Sequence, residues 1–484
     1  MKRSITRLLA TAAIVVAASP FSSAQSLAQI APVETVLYSF EGDSDGGDPM
    51  AGLLADKRGA LYGTTRGTSP DCISNTTCGT VFKLTPPAKY HTDWTETVIY
   101  QFCSLPGCSD GGGPLAGLIA DRQGALYGTT SGGGATGHGT VFKLTPPAKY
   151  QTVWTETVLY SFCSLPNCSD GDIPFRASLF ADRQGALYGT TIGGGTGQLD
   201  GGTVFMLTPP SQGQTEWTET VLYSFCSLPN CSDGKGPLGS TLIADKRGAL
   251  YGTTSAGGAA GLGTVFKLTP PRKGRTDWVE TVLYNFCSLP NCSDGSTPAA
   301  GVITDNPSVS DDEGPFNVHL FIDKHGALYS TTFYGGGASD SGTVFKLTPP
   351  PKGQTDWIET VLYSFAGKPS DGQNPSSGLI VDKHGVLYGT TNSGGAGAPG
   401  GGIVFTLAPP AQYQTDWTET VLYDFCSLPN CGDGTGPEAG LIADKHGVLY
   451  STTSGGGTAG HGTVFKLDLL DRGSAREPEG VKAE

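Results

Sequence analysis

The chain has 484 residues, a net charge of −14 and 72 glycines, with only 15% of its residues charged. Phosphate backbones call for clustered Lys and Arg, so this acidity sets nucleic acid aside as a partner. The glycine content and the lack of helix-favouring runs point to many turns and short strands.

The N-terminus reads as an export signal. Lys2, Arg3 and Arg7 precede an apolar run from Leu8 to Ala18, which is shorter than the roughly 20 residues needed to span a bilayer. Ser22-Ser23-Ala24 offers a cleavage point before Gln25, and a second lies after Ala28. Residues 1–24 are therefore expected to be removed, which takes three positive charges away and leaves −17. No later stretch is long and apolar enough to cross a membrane. The expected product is secreted or periplasmic, and monomeric.

From there the chain repeats itself about every 60 residues. The Tyr of Leu-Tyr-(Gly/Ser)-Thr-Thr recurs at Tyr62, Tyr127, Tyr188, Tyr251, Tyr329, Tyr388 and Tyr450. The Phe of the Val-Phe pair keeps step at Phe82, Phe142, Phe205, Phe266, Phe345, Phe405 and Phe465. Glu-Thr-Val-(Leu/Ile)-Tyr begins at Glu34, Glu96, Glu156, Glu219, Glu280, Glu359 and Glu419. Three markers each count seven.

Each unit holds four strand-like runs, clearest in the second. Gly117–Asp121 is short and apolar, as a strand buried on both faces is. A turn at residues 122–124 leads into Ala125–Thr130, and a Gly-rich loop precedes Thr140–Thr145. Pro146-Pro147 ends that strand, because proline cannot donate to a ladder. Trp154 to Phe162 alternates, placing Trp154, Glu156, Val158, Tyr160 and Phe162 on one face. The repeated Glu is expected to pair across strands with the Lys of Val-Phe-Lys-Leu.

The fold class is all-β: a seven-bladed β-propeller of four-stranded antiparallel blades over residues 33–467. Its rival, an open solenoid, does not explain the chain ends. The seventh unit stops after Gly462–Leu467 without a fourth strand, and Glu34–Phe40 supplies a spare one at the start. Closing the ring with that N-terminal strand removes edges that would template aggregation.

Twelve cysteines in an exported chain suggest oxidised pairs. Local pairing is the simplest connectivity: Cys72–Cys78, Cys103–Cys108, Cys163–Cys168, Cys226–Cys231, Cys287–Cys292 and Cys426–Cys431. Zinc would require Cys-x2-Cys spacing or neighbouring histidines, and in the sequence neither accompanies these pairs.

The unit Gly-Leu-Ile-x-Asp-x-x-Gly-x-Leu-Tyr-Gly-Thr-Thr, followed by Gly-Gly and Gly-Thr-Val-Phe-Lys-Leu-Thr-Pro, resembles the tandem repeat of the bacterial GloVer (Gloeo/Verruco-type) exported proteins over residues 33–467. That resemblance implies a surface protein and no particular activity. The family's varied C-terminal anchors are not matched here, since residues 468–484 form a short polar tail without a sorting helix. The Gly-Leu-Ile-Ala-Asp hairpin is more distantly similar to blades of the NHL and gluconolactonase-like propellers. This similarity implies a strand order with Gly-Leu-Ile innermost and Glu-Thr-Val-Leu-Tyr outermost.

In that order the Gly-rich loops share one face with the connectors between blades, which carry Asp-Gly at Asp45, Asp110, Asp170, Asp233, Asp294, Asp371 and Asp433. These carboxylates could ring the axis and bind a ligand, Ca²⁺ being the one cofactor such a ring suggests. The plainer reading is a turn, with Asp capping backbone and Gly at positive φ. The inner-strand Asp residues (Asp56, Asp121, Asp182, Asp245, Asp323, Asp382, Asp444) are read as turn starters. All six tryptophans open the outer strand, where packing explains them better than sugar stacking. The histidines are read as solvated loop residues, among them His138 and His461. Symmetry breaks in the fifth unit, which is about 18 residues longer, with an insertion near 304–318 carrying Asp311, Asp312 and Glu313.

The function expected is a binding or interaction module at the cell surface or envelope, with a glycan or protein as partner. Two alternatives stay open: an exported Ca²⁺-dependent hydrolase or lactonase-like enzyme, and a structural envelope protein.

Overall fold

The structure is a computed structural model that describes residues 32–42, 44–67, 78–197, 199–239, 241–298, 303–304, 326–397 and 400–469. Seven four-stranded antiparallel sheets follow one another along the chain, the blades of a propeller. Blade 1 consists of Leu54–Ala55, Leu61–Thr65, Thr80–Thr85 and Thr95–Gln101, paired in that order. The others repeat it. The innermost strands are only two residues long, shorter than the sequence runs suggest. Among the described residues there is no α-helix, and no helix long and apolar enough to cross a membrane.

The ring closes through blade 7, where the N-terminal strand Val33–Ser39 pairs antiparallel with Thr463–Asp468, Glu34 opposite Leu467. Thr452 of blade 7 then donates its hydroxyl to the Pro49 carbonyl at the entry to blade 1, 2.9 Å away. Equivalent threonines stitch other neighbours, as Thr129 does to the Ala177 carbonyl at 3.2 Å.

Seven apolar clusters fill the seven blade interfaces. The Phe of Val-Phe and the Phe ending each outer strand meet edge to face, as Phe162 and Phe205 do at 5.0 Å. Such pairs contribute roughly 0.5–1.5 kcal/mol beyond their buried area. The tryptophans are half-buried against the same clusters.

Two local expectations are corrected. The outer strand does not alternate unbroken, because a bulge places Tyr160 opposite Val141 and Val158 opposite Phe142, with Leu159 as the extra residue. The repeated Glu does not face Lys. Glu156 lies opposite Leu144 and Lys143 opposite Thr157, one position out of phase, so the two side chains leave opposite faces. Lys143 instead lies over the Tyr127 ring.

Candidate functional site

The connectors and Gly-rich loops do share one face: Gly112 pairs with Gly132, Asp172 with Gly193 and Thr435 with Gly455. Five connectors carry the expected disulfides, Cys103–Cys108, Cys163–Cys168, Cys226–Cys231, Cys287–Cys292 and Cys426–Cys431. Cys72 lies outside the described residues, and Cys78 is buried with its sulfur beside the Cys103–Cys108 pair. One histidine does approach a cysteine pair, as the sequence does not reveal: His138 lies beside Cys163 and Cys168. Those sulfurs are joined to each other and so are not thiolates available to zinc.

Each connector aspartate reaches back across its own loop. Asp110 accepts from the Tyr100 hydroxyl at 2.9 Å, the Ser104 N–H at 2.9 Å and hydroxyl at 2.8 Å, and the Leu105 N–H at 3.3 Å. Asp170, Asp294 and Asp433 repeat all four contacts, and Asp233 repeats three. These five are fully buried. Burial pushes the Asp170 carboxyl up, but its four donors outweigh burial and hold it below the usual carboxylate value. Asp45 and Asp371, in the connectors without cysteines, keep the Tyr38 and Tyr363 bonds and take backbone donors from Glu41 and Ala366. The Gly after Asp has positive φ in six connectors, Gly111 at 97° for example, where a Cβ would come within 2.6 Å of Thr130 Oγ1. Gly372 is the exception.

The inner-strand aspartates that are described begin turns, Asp121 accepting the N–H groups of Gln123 and Ala125 at 2.9 Å. Asp323, Asp311, Asp312 and Glu313 lie outside the described residues.

What breaks the symmetry is at the axis. The residue after the connector proline lines an axial cavity of about 230 Å³, as Met50, Leu115, Ser376 and Glu438 in four blades. Blades 3 and 4 each have one residue more between proline and inner strand, and the extra position brings Arg176 to the lining in blade 3 and Gly239 in blade 4. The Arg176 guanidinium forms an ion pair with Glu438 of blade 7, which is 262 residues away in the chain and three blades round the ring. It also lies 3.3 Å from the Met50 sulfur, while its Nε is buried without a partner. Arg176 and, three residues earlier, the β-branched Ile173 both adopt left-handed backbone, at φ 52° and 54°. That conformation is costly for both and clusters at functional sites. Beside them Asp172 holds the His138 ring at 2.8 Å, so this histidine is paired and not simply solvated. Of these residues Arg176 faces the cavity; the left-handed backbone at Ile173 recurs before the proline of every connector, and the His138–Asp172 pair lies beside the lining rather than in it.

A disulfide-stapled propeller with one asymmetric ion pair across its axis is the class of protein defined here. The model of the Gloeobacter/Verrucomicrobia repeat matches residues 26–164, 67–310 and 306–476, and the chain belongs to that family. No curated protein matches the sequence. Among solved structures, a calcium structure of a Trichoderma reesei Carbohydrate-Active Enzymes Family AA12 protein is similar at 12% identity and a TM-score of 0.39, covering 91% of this chain and 97% of that one. A Dyadobacter fermentans protein of unknown function is similar at 13% and 0.38, covering 91% and 99%. A luciferin-regenerating enzyme is similar at 12% and 0.36, covering 91% and 96%. At these values nothing about chemistry is carried across.

Proposed function

We propose that the chain is an exported binding module that engages an envelope glycan or protein through the connector face, with the axial cavity as its specific site. The observation that carries this is the Arg176–Glu438 pair. It supplies a donor fork and an acceptor side by side in a cavity otherwise lined by small and apolar residues. Seven equivalent blades cannot by themselves orient an asymmetric ligand, whereas this pair can. The seven connector aspartates serve the site by fixing the loops around it. The five disulfides support the exported location.

The test is retention of the purified chain on cell envelopes and polysaccharides, with and without chelator, with the supernatant assayed for released fragments. Retention without release, weakened about tenfold or more by Arg176→Gln or Glu438→Gln, is the expected result. Chelator leaves it unchanged, because each connector carboxylate already accepts two or more protein donors. Fragment release abolished by chelator would replace this reading with the hydrolase. Deleting residues 306–316 tests whether the insertion shares in the site; unchanged retention removes it.

A further inference from the structure

The hairpins joining the third and outer strands carry a second, unrelated asymmetry. In every blade with a described hairpin the tip is a four-residue turn closed by a backbone bond, as from the His91 N–H to the Ala88 carbonyl at 2.9 Å. Its third residue must take positive φ, a place for glycine. Blades 3, 4 and 5 have glycine there: Gly213, Gly274 and Gly353, at φ 89°, 85° and 93°. Blades 1, 2 and 6 place tyrosine instead, Tyr90, Tyr150 and Tyr413 at φ 76°, 73° and 75°. A bulky side chain in the left-handed region is strained, and here no packing compensates. The three residues are 89%, 91% and 96% exposed, the most exposed large hydrophobic side chains among the described residues.

Three flat rings are thus held outward at a conformational cost, on blades that lie on either side of the split blade 7. Because the strands alternate direction, these tips leave the face opposite to the connectors. The Lys89 and Lys149 ammonium groups each stand 5.0 Å from the centroid of the neighbouring tyrosine ring.

We infer that Tyr90, Tyr150 and Tyr413 form a rim that binds an extended polysaccharide, each ring stacking on one sugar. The chemistry favours a glycan over a protein. The rings are isolated from one another and make no continuous apolar patch, whereas a protein partner needs a desolvated core of several hundred Å². A polymer with a sugar ring every few ångströms can meet separated platforms one at a time and gain by multivalency. The rim takes only its general class of partner from the binding role proposed above; its location and test are independent of the axial cavity.

The experiment exploits the glycines of blades 3 to 5, which show that the turn accepts glycine. The purified chain and its Y90G/Y150G/Y413G variant are incubated with microcrystalline cellulose, insoluble chitin, insoluble xylan and purified cell-wall sacculi, and the unbound fraction is measured. The parent is expected to be retained by at least one matrix. Each single substitution weakens retention about threefold and the triple variant by roughly tenfold or more. The thermal midpoint of the triple variant stays the same or rises. The triple substitution lowers retention by the same factor in an Arg176→Gln background as in the parent, which separates the rim from the cavity. Equal retention of parent and triple variant overturns the inference, as does a parent that binds no matrix. A concentration-dependent dimer that the triple variant abolishes overturns it too, by showing the rim to be a self-association surface.

Discussion

At the scale of single residues, the connector aspartate shows how a repeated carboxylate works as scaffold. A site for a mobile ligand needs open lone pairs, and Asp233 has its oxygens turned to Tyr223, Ser227 and Leu228 inside a sealed loop. Asp233→Ala leaves a buried hydroxyl and two N–H groups without acceptors, and is expected to destabilise the blade by about 2–3 kcal/mol in urea unfolding. Asp233→Asn, which keeps one acceptor oxygen, should cost less than half of that. The Asp-Gly turn was legible because Asp and Gly are adjacent in the chain. The Tyr223 partner was not: it recurs just as faithfully, but it ends a strand read for its packing, and a hydroxyl bond ten residues away leaves no mark on local pattern.

At the scale of the strand, the outer-strand glutamates carry the largest electrostatic consequence. Each has Oε1 buried without a hydrogen-bond partner. Burial first, and then the connector aspartate of the adjoining blade, raise the carboxyls of Glu34, Glu96, Glu156 and Glu419 to about 7. The same causes raise Glu219, Glu280 and Glu359 to about 8. Folding therefore favours the protonated acid. The stabilisation is complete below the ordinary value of 4.5 and is lost as pH rises through 7 to 8. Thermal melts should show a higher midpoint at pH 5 than at pH 8.5. Glu280→Gln should flatten that dependence and add about 1 kcal/mol at pH 8.5, a figure discounted for the partial exposure of the site. The strand positions were legible from their period of two, but the glutamate environment was not. Register decides it, and a one-residue phase sets Glu280 opposite Leu268 while Lys267 faces Thr281.

At the scale of the whole molecule, the ring was legible and its centre was not. Three markers counting to seven, with one strand displaced to the opposite end, leave little freedom for any architecture but a closed propeller. The Arg176–Glu438 pair depends on a residue added in two connectors and being arginine in only one of them, and its partner becomes a neighbour only when the ring has formed. Closure itself can be tested. Removing residues 33–39 exposes the whole edge of Thr463–Asp468 and should convert cooperative unfolding into a broad, aggregation-prone transition, seen by light scattering during a melt. Removing the tail after Asp468 leaves that pairing intact and serves as the comparison.

The pairing of Val33–Ser39 with Thr463–Asp468 also sets a clock on biogenesis. The first strand to leave the ribosome receives its partner last, after more than 400 further residues, which at ~5–20 residues per second is a wait of about 20–90 s. Throughout that interval the interface between the first and last blades has neither its zipper nor Val464 packed into the cluster of Phe40 and Phe82. Under the export proposed above, a chain built this way would gain by crossing the membrane unfolded and closing its ring on the far side, where its cysteines can also oxidise.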